Sequence, residues 1–148
     1  MGFSETDPAR TIAALFVGGL VGGMLTSASL AVMAAIPFLV TGQLDGVVAA
    51  LAVGLMVSPF SLVVWMAGVL LVGAPFWGAL HALNIRSPQA GALLGATLAF
   101  AVTVGSVLLL TSNEGMSGLW LSAAGLAIIG AIAGWAAALT AYGQGAPR

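Results

Sequence analysis

From Thr11 to Val40, and again from Val47 to Leu80, the chain carries no Asp, Glu, Lys, Arg or His except Asp45 in the turn between them. Each run is longer than the ~20 apolar residues that carry an α-helix across the hydrocarbon of a bilayer. Two more such stretches follow, over residues 88–110 and 118–142. Of 148 residues, 61% are hydrophobic and 5% charged, where a soluble domain has about 25% charged residues to keep its surface in water. So short a chain cannot bury this much apolar side chain in a water-soluble fold. The composition excludes a soluble enzyme, a nucleic-acid binder and a disordered tail. It predicts an all-α membrane protein: one integral domain over residues 1–148, a four-transmembrane-helix bundle with short turns.

The threading follows from the breaks. Asp7-Pro8 reads as a helix start, with Asp7 as cap and Pro8 as first helical residue. The first span covers about residues 11–37, ending near Ile36-Pro37. A polar turn, residues 41–46, leads to the second run. As one straight helix that run would reach about 50 Å against ~30 Å of hydrocarbon, so it must tilt, kink or break. The simplest reading is a span over 47–72, kinked at Ser58-Pro59, then a short interfacial helix over 75–83 at the inner face. The alternative is a half-helix, 47–57, that turns back at Ser58-Pro59 as a gate. Re-entrant backbone is tolerated only beside protein or a water-filled cavity, so that alternative implies a pore. Ser87-Pro88 repeats the cap-plus-proline start, and the last spans cover about 88–110 and 118–142.

With four spans, Arg10, His81, Arg86 and Arg148 fall on one side, and Asp45 and Glu114 on the other. The positive-inside rule then makes both termini cytoplasmic. Trp77, His81 and Arg86 are the expected anchors at that inner interface. The plain role for His81 is its ring among the headgroups; the functional one is contact with a phosphate headgroup or a partner, made with Arg86, or ligation of a pigment. Asp45 and Glu114 read as turn and cap residues before a cation ring. Trp65 and Trp135 lie inside spans, where rings fill wedges between helices, and follow their acidic turns at matching distances, a weak echo of two helical hairpins.

Small residues recur at every fourth position. They are Gly19, Gly23, Ser27, Ala31 and Ala35 in the first span, flanked by Gly18 and Gly22, and Ala50, Gly54 and Ser58 in the second. The third has Gly91, Gly95, Ala99 and Thr103; the fourth has Gly130, Gly134 and Ala138. Such small-xxx-small stripes let helix backbones approach closely, which drives association in lipid. Most of this is packing within one bundle. The first span has more small residues than one neighbour needs, so it is the expected face toward another chain.

The counts limit the chemistry. With no cysteine and a single histidine, thiol redox chemistry and His- or Cys-rich metal sites are not available. No ionisable group falls at bilayer depth, and such groups are what proton-coupled carriers and voltage sensors use. The embedded polar side chains are hydroxyls such as Thr26, Ser27, Ser61, Thr103 and Thr140, whose usual partner is a helix carbonyl. No cofactor is expected, though a bound lipid or pigment fits the composition. The expected partners are the bilayer and other membrane subunits or a second copy, with no nucleic acid. These features predict a non-catalytic interaction protein, an accessory or scaffold subunit or a homo-oligomer; the alternative is a small uncoupled channel or carrier gated at Ser58-Pro59.

The stretch GAPFWGALHALNIRS, residues 73–87, resembles one found in small four-span inner-membrane proteins of proteobacteria, a group with no assigned activity. That resemblance implies the fold and a bacterial inner-membrane location, and no function.

Overall fold

The computed structural model describes residues 8–110 and 116–142, all of them in helices or the short turns between them. The helices are α1 (Pro8–Thr41), α2 (Leu44–Gly68), α3 (Ala74–Ala82), α4 (Pro88–Leu110) and α5 (Met116–Tyr142). A five-residue π-helical turn, Val69–Gly73, joins α2 to α3 without a break. Four helical stretches are therefore long and apolar enough to cross a membrane, the second being Leu44–Ala82.

The helices are laid out in a row, α2–α1–α5–α4, each packed on the next, and α4 meets the second helical stretch at the π turn rather than along α2. Small side chains set this order. Among the described residues the buried positions are mostly alanine, serine and glycine, with Ile129 the one large aliphatic. In lipid, apolar side chains gain nothing by turning inward, so the helices meet where backbones can come closest.

The α1–α2 hairpin turns at Gly42, whose φ is +70°. The Gln43 N–H donates to the Phe38 carbonyl (2.9 Å) and the Gly42 N–H to the Leu39 carbonyl (3.3 Å). This is a Schellman cap, and the left-handed residue at its centre favours glycine. The α3–α4 turn uses the same device with Asn84 at φ 61°: the Ile85 N–H donates to Leu80 and the Asn84 N–H to His81, both at 3.0 Å. Asparagine is the usual substitute for glycine there. The Ser87-Pro88 start forms as expected, with the Ala90 N–H donating to Ser87 Oγ at 3.1 Å.

Several expectations are corrected. The first helix does not stop near Pro37 but runs on to Thr41, whose hydroxyl donates to the Pro37 carbonyl at 3.0 Å. Ser58-Pro59 neither turns the chain back nor ends a helix, since α2 continues through it. The half-helix over 47–57 does not form. The irregular turn lies later, at Val69–Gly73, directly before Pro75. Pro75 has no N–H for the Leu71 carbonyl and its ring would strike that carbonyl in a regular α-helix. The wider π turn makes room, and the Ala74 N–H bonds back to the Val69 carbonyl. The short helix expected over 75–83 forms as α3, which follows the π turn without a break in the chain's helical course. The Asp7 cap, Glu114 and Arg148 lie outside the described residues.

Candidate functional site

The α4–α5 pair is held by a reciprocal glycine contact. A Cβ on Gly95 would strike the Gly130 carbonyl, and one on Gly130 the Gly95 carbonyl and the Ala99 side chain. One turn away, Gly91 and Gly134 stand in the same relation; a Cβ on Gly91 would lie 2.6 Å from the Gly134 oxygen. The two backbones touch with no side chain between them, as the stripe of small residues in each helix requires.

On the other hairpin, Gly22 lets the Trp65 indole lie against the α1 backbone, and a Cβ there would overlap the ring. The indole N–H then donates to Thr26 Oγ1 at 2.9 Å, and Thr26 donates to the Gly22 carbonyl at 2.9 Å. The neighbouring Gly23 carbonyl accepts from Ser27 (2.9 Å) and, across the helix pair, from Ser61 (3.1 Å). Thr26→Val therefore leaves the indole N–H with no acceptor. A double-mutant cycle with Trp65→Phe, read by unfolding in detergent, should give a coupling of about 1 kcal/mol, within the range of interhelical hydrogen bonds in membranes. A coupling near zero would mean that the indole has other partners.

Within the chain, the small faces of α1 meet α2 and α5. Gly19, Gly23 and Ala31 meet Met66, Leu62 and Gly54 of α2, and Gly18 meets Ala137 of α5. Gly18, Gly19, Gly22, Gly23, Ser27 and Ala31 are all buried inside the chain. The doubled stripe has a plain cause: α1 lies in the middle of the row and needs two small faces, one for each neighbour. Gly91, Gly95, Gly130 and Gly134 are likewise spent between α4 and α5.

Because α2 and α4 stand apart, a half-open cavity of about 540 Å³ lies between them. Its floor is α1 and α5, through residues such as Leu15, Thr26, Gly130 and Ala133. One wall is Phe60, Ser61, Val64 and Trp65 of α2 with Val69 and Val72 of the π turn; the other is Leu94, Leu98 and Val102 of α4. The lining is apolar, and its polar groups are already engaged. Ser61 and the Trp65 N–H are bonded across α1 and α2, and Thr103 donates to the Ala99 carbonyl at 2.7 Å. Thr97 and Thr140, outside the cleft, bond to their own helices in the same way. Ser58 and Pro59 do not line the cleft.

At the end of the cleft nearest the α3–α4 turn, Trp77 stacks on Tyr142 with ring centroids 5.5 Å apart. His81 Nδ1 lies 3.3 Å from the Tyr142 hydroxyl, and its ring lies nearly parallel to the tyrosine at 6.4 Å. Trp77 and His81 of the expected interface anchors are thus brought together by the last residue of α5, with Arg86 exposed in the turn beside them. Tyr142 is the member of this cluster that sequence reasoning did not place among the anchors. The two mid-span tryptophans differ: Trp65 fills a wedge between helices, whereas Trp135 is 49% exposed, and Trp120 stacks on Phe100.

The fold is a helical bundle of two hairpins joined through α1 and α5, with four helical stretches long and apolar enough to cross a membrane. No family model, curated protein or solved structure matches the chain.

Proposed function

We propose that this is a non-catalytic integral membrane protein that works by holding apolar neighbours, as an accessory or scaffold subunit of a larger membrane assembly or within a homo-oligomer. The observation that carries this reading is the unclosed row of helices. The described residues leave an apolar cleft between α2 and α4, closed on that side only where the π turn meets α4. Concave sites between the helices of a bundle are where small apolar ligands and neighbours bind. The interior chemistry agrees, because each hydroxyl toward the cleft already has a protein partner. A solute path would need polar groups free to replace water around the solute.

The bilayer is the medium that makes such a surface stable. The end carrying Arg10, His81 and Arg86 is read as cytoplasmic, with Asp45 in the first turn of α2 at the opposite end. In this placement both termini are inside, and α3 with Trp77, His81 and Tyr142 lies at the inner interface. A bacterial inner membrane is the location implied by the resemblance of residues 73–87. Extraction from that membrane in a mild detergent tests the reading. The expected particle contains a second polypeptide, either another copy or a different subunit, seated against α2 and α4. A monomer free of any bound neighbour would contradict it.

A further inference from the structure

The cleft has a composition and an end that together specify what enters it. The cleft is half-open, about 540 Å³, and lined almost entirely by carbon. A flexible aliphatic chain can follow such a trough. The depth of the cleft offers it only carbon surfaces and satisfied polar atoms, since Ser61, Thr103 and the Trp65 N–H are bonded within the protein.

The polar end is just as defined. Gly73, Trp77 and Gly91 line the cleft where it nears the α3–α4 turn. A second, small hollow shares Trp77 and Gly91 and is bordered by Ile85 and Ser87, the two neighbours of Arg86. Arg86 is exposed there, and Arg10 and His81 lie at the same end of the bundle. The one carboxylate among the described residues, Asp45, is at the other end, in the first turn of α2. The cleft is an apolar trough, and the exposed Arg86 stands beside its end, between the Ile85 and Ser87 that border the small hollow. Its complement is an amphiphile with an aliphatic tail and an anionic head.

We infer that the cleft between α2 and α4 binds one anionic phospholipid, its acyl chain lying between the two helices and its phosphate meeting Arg86 at the inner interface. This rests on the membrane reading above and assigns the occupant of the same cleft. Polypeptide neighbours then cover the lipid from outside and do not replace it.

Native mass spectrometry of the full chain in mild detergent tests the inference, with phosphatidylglycerol and phosphatidylcholine of identical acyl chains as probes. The expected result is one retained phosphatidylglycerol per chain, preferred over phosphatidylcholine about fivefold, the effect of one basic residue at an anionic headgroup. Arg86→Gln should bring that ratio close to one. Leu98→Trp, which fills the trough from α4, should abolish retention of the single lipid while helical content is unchanged. Val102→Phe, one turn further along, gives the same readout should the tryptophan variant fail to fold. Equal retention of the two lipids by the unmodified chain would overturn the assignment, as would retention that survives both filling variants. A polypeptide cross-linked within the cleft in place of lipid would sink the lipid assignment and leave the interaction reading standing; a cleft with neither would sink both.

Discussion

Gly95→Leu is expected to part α4 from α5 and to be among the most damaging single substitutions in the chain. The new side chain would meet the Gly130 carbonyl and the Gly134 Cα, which are backbone atoms of a facing helix and cannot rotate away. Overpacking of a close contact costs about 3 kcal/mol at the upper end of its usual range, and more where backbone must shift. The loss should appear as a large fall in the thermal or denaturant midpoint of the detergent-solubilised protein. Gly125→Leu is the control, because a Cβ there meets nothing within 4 Å. That substitution should be neutral or slightly stabilising, since leucine is the better helix former by up to ~1 kcal/mol. Equal effects at the two sites would show that α4 and α5 do not meet through Gly95.

The second large effect is expected at Gly23, on the other hairpin. A Cβ there would sit 2.8 Å from both the Leu62 Cα and one of its methyl carbons. The same residue's carbonyl accepts from Ser27 and Ser61, so separating the helices also breaks the Ser61 bond that crosses between them. Gly23→Leu should therefore cost about 3 kcal/mol from the clash and about 1 kcal/mol from the hydrogen bond. The matched comparison is Gly18→Ala, whose new methyl would be 3.2 Å from the Ala137 Cβ, a contact that a small shift relieves. Unfolding midpoints of the two variants should differ widely. A mild Gly23→Leu would contradict the close approach of α1 and α2.

The helical architecture was legible because it rests on composition and punctuation. Long uncharged runs separated by polar turns give four spans, and the Ser87-Pro88 signal marks the start of α4. The small-residue stripes were legible as contact faces, but their partners were not. A stripe tells that a backbone comes close, and gives no information on whose backbone it is. The doubled stripe on α1 was the clue to its place in the middle of the row. Read as spare capacity, it pointed instead to another chain. The π turn was not legible for a related reason. Pro59 and Pro75 both interrupt the hydrogen-bond ladder, and nothing local says which one the helix accommodates by widening a turn.

The cleft was hidden from the sequence altogether. Leu94, Leu98 and Val102 repeat every fourth residue along α4, which in a soluble helix would mark a core-facing stripe. In a helix that is apolar on every side this spacing carries no direction. The small-residue pattern does not mark the edges either, since α4 carries a second set at every fourth position, Thr97, Ala101 and Gly105. The Trp77–His81–Tyr142 cluster was half visible, because two members share one helix while the third arrives from the far end of the chain.

The claim on which the functional reading turns is that the cleft is dry. The chain has no cysteine, so single cysteines can be placed without altering any native thiol. In reconstituted vesicles, the Leu98→Cys and Val102→Cys variants should stay unmodified by a charged, water-soluble maleimide, because a thiol in a dry apolar cleft stays protonated, and should react with it once the protein is unfolded in detergent. The Asn84→Cys variant, in the exposed turn, should react without unfolding once the reagent reaches its side. If the charged reagent labelled either cleft variant at a rate close to that of the turn variant, water would stand in the middle of the bundle and the account would be contradicted.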